Sequence, residues 1–253
     1  MNKDKIFIAD QCDVTSSAVF NEDCMTTMKR YADKFFHLAI VDPPYGIGVG
    51  NMAYLKEMNT TVKQKNGTRM NGNKNKKPYT QKQWDNAPPP QAYFDELKRV
   101  SQHQIIFGID YMKWQGIGTG RIKWDKGVAE GMSFNKYEVA YCSKIDDEIE
   151  LPLLWAGMCQ AKSLAEPMTQ QGNKKLNEKR IHPCHKPILL YQKLLMMFGE
   201  QGQNILDTHL GGGSNRIACH KAGFNFVGSE IDEEYFTKQE ARWKNFIAQT
   251  TLW

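Results

Sequence analysis

The sequence predicts a doubly wound α/β sheet, on three observations. Short, nearly continuous apolar runs recur along the chain, each closed by acidic, proline or glycine residues. Segments with helical periodicity fall between these runs. At 253 residues and 41% hydrophobic content there is material for one sizeable core.

The first strong strand is Leu38–Val41, ending in Asp42-Pro43-Pro44. A helix with Tyr93, Leu97 and Val100 on one face precedes the second, Gln104–Ile109. The third, Asn204–Asp207, runs into a glycine triplet. Apolar residues at consecutive positions are expected of strands buried on both faces in a mostly parallel sheet. Fainter strands are read at Arg121–Trp124, Tyr137–Cys142 and Asn225–Gly228. Helices are read at Ile188–Phe198 behind Pro187, at Asn215–Ala222, and over 233–248, where Phe236, Trp243 and Ile247 share a face and Asp232 can cap the first turn. Alternating strands and helices imply the doubly wound arrangement. Residues 144–182 break the alternation and read as an inserted recognition segment. No repeat or proline-rich linker forces a split, so residues 1–253 read as one domain.

Composition excludes several classes. The densest apolar stretches, Leu151–Cys159 and Ile188–Phe198, are too short or too mixed for a membrane span. The first residues lack the apolar core of a secretory signal. Six cysteines are scattered without a CxxC pair, which argues against a disulfide scaffold or zinc ribbon and for a reducing, cytoplasmic setting. The net charge of +5 is unevenly spread. Residues 56–82 hold eight Lys and Arg against the single acid Glu57, so this stretch exceeds the charge of the whole chain. It shows no apolar periodicity and reads as a long loop within 48–88. Such a segment can be a solvated linker, but beside an active site it suits a polyanion, with Lys74, Lys76 and Lys77 as candidate phosphate contacts.

Two places carry candidate chemistry. Val41-Asp42-Pro43-Pro44-Tyr45-Gly46 sits at the carboxyl end of a buried strand, where open α/β sheets bind ligands. Two prolines remove two backbone donors and leave carbonyl acceptors; Asp42 adds a carboxylate and Tyr45 a flat ring. Acceptors beside a stacking ring suit an exocyclic amino group on a planar base. The plain alternative is a strand-ending turn with a capping aspartate. The second place is Asp207-Thr208-His209-Leu210-Gly211-Gly212-Gly213-Ser214, a strand, a glycine turn and a helix start, which together cradle nucleotides. Farther on, Glu230 at the next strand tip can accept both hydroxyls of a ribose. GxGxxG is absent throughout, against a nicotinamide enzyme. His182, Cys184, His185 and His209 fit no zinc spacing, so no metal is expected.

Taken together, Asp42-Pro43-Pro44-Tyr45, the Asp207 glycine turn and Gly228-Ser229-Glu230-Ile231-Asp232 resemble the S-adenosylmethionine-dependent DNA amino-methyltransferases. The catalytic turn precedes the cofactor half, as in the circularly permuted β group. Phe94–Ser101, Trp124-Asp125-Lys126, Glu138–Tyr141 and Arg180–Pro187 extend the resemblance over roughly residues 20–245. It implies a Rossmann-like, permuted methyltransferase sheet: a catalytic half over 20–143, a target-recognition segment over 144–182 and a cofactor half over 183–248.

By the same resemblance Asp42, Pro43, Pro44 and Tyr45 hold and activate a flipped base. Glu230 binds the cofactor ribose and Asp23, with Cys24, the adenine amino group. The turn of His209, Leu210, Gly211, Gly213 and Ser214 passes beneath the methionine moiety, with Asp207 near its ammonium and Lys186 toward its carboxylate. Two departures stand out: Cys184-His185 where the family has Thr-Gln, and Thr208-His209 where it has Pro-Phe. The implied reaction is adenine-N6 methylation of double-stranded DNA by a stand-alone enzyme, monomer or homodimer, without a membrane partner and with no recognisable nuclease motif. Cytosine-N4 methylation and an inactive DNA-binding relative are the alternatives. Protein or RNA methylation on an Xaa-Pro-Pro-Tyr turn is disfavoured, since those families place the cofactor half first.

Overall fold

The computed structural model describes residues 16–48, 62–63, 69–70, 85–130 and 135–250. The chain forms two compact units: residues 44–89 make one, and the remainder of the chain the other.

The larger unit opens with β1 (Ser17–Phe20), α1 (Cys24–Met28) and β2 (Phe36–Val41). The smaller unit carries β3 (Val62–Lys63) and β4 (Arg69–Met70), an antiparallel pair within the segment read as a loop. The larger unit resumes with α2 (Gln91–Val100), β5 (Ser101–Phe107), β6 (Arg121–Asp125), β7 (Tyr137–Cys142), β8 (Glu148–Pro152), β9 (Trp155–Ala156) and β10 (Cys159–Gln160). It ends with α3 (Ile188–Phe198), β11 (Asn204–Asp207), α4 (Ser214–Ala222), β12 (Asn225–Ser229) and α5 (Glu233–Thr250).

Eight strands form one sheet in the order β1-β12-β11-β2-β5-β7-β6-β8. From β1 to β5 every pairing is parallel, as the continuous apolar runs predict. Leu38, Ala39, Ile40 and Val41 are all fully buried, so β2 is covered on both faces. Beyond β5 the sheet turns mixed: β7 is antiparallel to β5 and β6, while β8 runs parallel to β6. The predicted second strand is shifted. It starts at Ser101, directly after α2, and stops at Phe107, because Gly108 turns left-handed at φ +69 and puts Ile109 into a helical turn. β1 and β8 were not foreseen. Both are short edge strands, and β8 draws Glu148–Pro152 out of the expected insertion into the main sheet.

α2 shows how the core is built. Tyr93, Phe94, Leu97 and Val100 recur on one face and are buried, while Arg99 on the other side pairs with Glu96 and Asp33. Phe36, Phe107, Phe226 and Trp124 fill the core from the strands. Each such side chain contributes roughly 1.5–3 kcal/mol by leaving water. Asp232 caps α5, its Oδ1 accepting from the backbone N–H of Glu234 at 3.0 Å.

The chain moves from β2 outward to β5 on one side, and from β11 outward to β12 on the other. The gap between the carboxyl ends of β2 and β11 is therefore the topological switch point, where such sheets bind ligands.

Candidate active site

Asp42 stands at the switch point on the β2 side and Asp207 on the β11 side. The Nζ of Lys186 lies 2.6 Å from Asp42 Oδ2 and 2.6 Å from Glu138 Oε1, and 4.5 Å from the centre of the Phe107 ring. Burial pulls the Lys186 ammonium down, but the two carboxylates more than offset it and hold its pKa above the ordinary lysine value. A second lysine, Lys126, lies 3.9 Å from Glu138 Oε2. Lys186, expected toward the cofactor, is thus placed on the Asp42 carboxylate. Glu138, whose strand the sequence had flagged without giving it a role, is the second anchor. An acid in the otherwise apolar Tyr137–Cys142 run was the available signal.

Within the smaller unit, the turn after Pro44 is fixed by an acid that the sequence reading missed. Asp85 is buried, and its Oδ1 accepts from the backbone N–H of Tyr45 at 2.7 Å and of Gly46 at 2.8 Å. Its carbonyl accepts from the N–H of Gly48 at 3.0 Å. Gly46 has φ +74, and a Cβ there would lie 2.6 Å from Pro88 Cδ, so no other residue fits. Lys74, Lys76 and Lys77 lie outside the described residues.

The β11 side gathers the remaining candidates. Asp207 is buried, with Oδ1 accepting from the His209 N–H at 3.1 Å and Oδ2 from Asn215 Nδ2 at 3.1 Å. Burial, with Asp42 and Glu230 adding to it, pushes its pKa up to about 7. Among the described residues no cation pairs with it. Glu230 follows β12 with both oxygens aimed inward: Oε2 accepts from the Gly211 N–H at 2.8 Å and Oε1 from the Asp232 N–H at 2.9 Å. Burial raises its pKa too. Asp23 caps α1 through the Met25 N–H, and burial pushes the neighbouring Cys24 thiol up to about 12. Asp23 and Glu230 are both close enough to act on Cys24, so the acidic turn before β2 and the tip of β12 meet. His209 packs edge-on to Tyr93, 5.5 Å between rings, and its Nδ1 lies 2.9 Å from Thr208 Oγ1. Burial lowers its pKa to about 4, so it is a neutral ring in the wall. Leu210 is buried, and Gly213 at φ +71 leads into α4.

The departure at Cys184-His185 has a structural consequence. His185 Nε2 lies 2.7 Å from Glu178 Oε1 and 3.0 Å from Ser214 Oγ, which itself donates to Glu178 at 2.9 Å. Arg242 of α5 reaches the same Glu178 oxygen at 2.5 Å and also bonds the Gly212 carbonyl. A Cβ on Gly212 would lie 2.3 Å from His185 Nδ1, so the glycine lets the ring close on the turn. Both partners share one ring nitrogen, so this is a clamp and not a proton relay. It ties the 144–182 segment to the start of α4. Burial raises the Glu178 carboxyl, but His185 and Arg242 more than offset it and leave its pKa lowered.

Acids at neighbouring strand ends, a glycine turn into a helix and an acid at the next strand tip define the class of α/β proteins that bind nucleotide-type ligands at the switch point. The sequence profile described as DNA methylase matches residues 53–241, and the chain belongs to that family. The family transfers methyl groups from S-adenosylmethionine. The chain is 21% identical to YubD of Escherichia coli strain K12 over 223 residues, 87% of each chain. Among solved structures it is similar to TTHA0409 of Thermus thermophilus, complexed with S-adenosyl-L-methionine, at 15% identity and TM-score 0.49, covering 90% of this chain and 93% of that one. It is also similar to the cytosine-N4-specific PvuII DNA methyltransferase at 12% identity and TM-score 0.49, covering 90% and 86%.

Proposed function

We propose that the chain is a site-specific adenine-N6 DNA methyltransferase of the permuted β group. The observation that carries this reading is the half-buried Asp42 carboxylate at the end of β2, beside the Asp207 strand end, with Pro-Pro-Tyr following it in the sequence. The cofactor fits the residues present: Asp207 is a buried acid with no cationic partner among the described residues, suited to an ammonium. Glu230 has each oxygen fixed by one backbone N–H, with lone pairs left for ribose hydroxyls. Asp23 and Cys24 border the adenine end, and His209, Leu210, Gly211, Gly213 and Ser214 form the turn under the methionine moiety.

When bound, S-adenosylmethionine supplies an electrophilic methyl on a sulfonium. The protein's part is positioning and electrostatics. Asp42 and the Pro43 carbonyl accept the two amino hydrogens and aim the nitrogen lone pair, and Tyr45 stacks on the base. Pro44 stiffens the turn. The base leaves the duplex at a cost of a few kcal/mol, offset by these contacts. Residues 144–182 read the target sequence, and Lys74, Lys76 and Lys77 meet phosphates. Asp-Pro-Pro-Tyr favours adenine over cytosine, where Ser often replaces the Asp.

The test is incubation with methyl-labelled S-adenosylmethionine and genomic DNA, then nucleoside mass spectrometry. Label in N6-methyladenine, lost in Asp42→Ala, is the expected result. Label in N4-methylcytosine overturns the choice of base, and unlabelled DNA overturns the reaction.

A further inference from the structure

We propose that the Trp155–Gln160 hairpin is a DNA-insertion element whose tip, Met158, enters the base stack as the target base leaves it. The inference rests on the DNA-methyltransferase reading above. Trp155 pairs with Gln160 and Ala156 with Cys159, leaving Gly157-Met158 as a two-residue tip. Gly157 takes φ +56 with open space around it, and the Met158 side chain is 66% exposed. The Asn177 side-chain amide donates to the Met158 carbonyl at 3.2 Å, and the residue before it, Leu176, is 68% exposed. Met158 at the hairpin tip and Leu176 on the segment bonded to it are exposed apolar side chains with no role in the core.

The surface around them is cationic. Lys174, Lys175, Lys179 and Arg180 are all exposed, while Glu178, the acid among them, is turned inward to His185 and Arg242. The guanidinium of Arg180 lies 4.2 Å from the centre of the Trp155 ring at the foot of the hairpin. An apolar point in a basic field complements duplex DNA, which offers phosphates outside and stacked bases inside.

The foot is anchored beside Asp42. Trp155 Nε1 donates to the His185 carbonyl at 3.0 Å, and the next residue, Lys186, holds Asp42. The Trp155 N–H donates to the Lys126 carbonyl, and the Gln160 side chain bonds the Glu178 backbone at both its atoms, 2.7 and 2.9 Å. The tip therefore projects from a rigid base next to the position that receives the flipped base. Met is among the residues that wedge between base steps in DNA-bending proteins.

The experiment uses the full chain and duplexes carrying the site mapped from methylated genomic DNA, one with adenine at the target position for methylation and one with 2-aminopurine there for fluorescence. Met158→Ala, an exposed change, is expected to leave the melting temperature and cofactor affinity unchanged. It should lose most of the fluorescence rise and methylate the matched duplex at least ~10-fold more slowly, since unstacking uses a few kcal/mol. Met158→Leu should keep both. A mismatch at the target, where the base is already loosened, should restore Met158→Ala to near wild type. Equal rates for Met158→Ala and wild type on the matched duplex overturn the insertion role, as does a loss that the mismatch fails to restore. No methylation by wild type would instead sink the reading on which this one rests.

Discussion

Replacing Lys186 with Met removes an ammonium shared by Asp42 and Glu138. Each carboxylate lies 2.6 Å from that nitrogen, so the two are within about 5 Å of each other. At an effective dielectric near 20 their repulsion is roughly 3 kcal/mol. Breaking a buried pair by removing one partner typically costs about 3–5 kcal/mol, and both carboxylates here are largely buried. At roughly 2–4 °C per kcal/mol for a domain of about this size, Lys186→Met should melt ~6–20 °C lower at pH 8. A repulsion of that size raises one carboxyl by about two pKa units, so a proton can take the place of the ammonium. A carboxyl raised in the folded state binds more protons than in the unfolded one, so the variant regains stability as pH falls. The loss at pH 5 should be smaller than at pH 8 by roughly 1.5–2 kcal/mol. The wild type has no such dependence from this group. The raised Lys186 keeps its contribution below the ordinary lysine pKa and loses it only as pH rises through the still higher folded value. Adding Glu138→Gln to Lys186→Met should recover most of the loss. Thermal unfolding at the two pH values tests this. Equal losses at both, with no recovery in the double variant, would refute the shared-ammonium account.

Asp207, with its pKa near 7, should make cofactor affinity weaken by up to about tenfold per pH unit below neutrality, as the acid protonates and can no longer pair with an ammonium; titration calorimetry should show the slope in wild type and none in Asp207→Asn. Asp85→Ala strips the acceptor from two backbone amides of the Tyr45 turn, at about 1–3 kcal/mol per buried group, and should lower kcat while cofactor affinity holds. Glu178→Ala should destabilise by about 3–5 kcal/mol in denaturant unfolding, since it leaves Arg242 and His185 without their shared acid. Replacing Lys74, Lys76 and Lys77 together with Gln should flatten the salt dependence of DNA binding by up to three units of slope, read by fluorescence anisotropy, with cofactor affinity unaffected.

The strand ends were legible because their signal is local. A buried parallel strand must be apolar at every position, so Asp42 and Asp207 each stand out as an abrupt end to such a run. The glycine turn and Glu230 follow from the same arithmetic one element later. Partnerships set by distant register left no such trace. Nothing in Glu138 announces that it shares an ammonium with Asp42, or in Asp85 that it holds the amides of Tyr45 and Gly46. The histidine at 185 could be seen as a departure, but its work as a clamp needs Glu178 and Arg242, brought together only by the packing of α5 on the glycine turn. β1 and β8 escaped for another reason: four- and five-residue edge strands carry too little pattern to separate from loops.

The pairing of β2 with β11 also bears on how the molecule is made. Leu38 and Ala39 lie opposite Ile205 and Leu206, so the central seam of the sheet joins strands far apart in the sequence. On the ribosome, β2 can find β5 early, but its other edge stays open until most of the chain has emerged. β1 waits longer still, since its neighbour β12 follows β11 in the chain. Parallel contacts of such long range are slow to form, and an apolar strand with an open edge is prone to aggregate in the interval. A nascent chain interrupted before β11 would present that open edge to every other copy, which makes late translation the vulnerable period in the life of this protein.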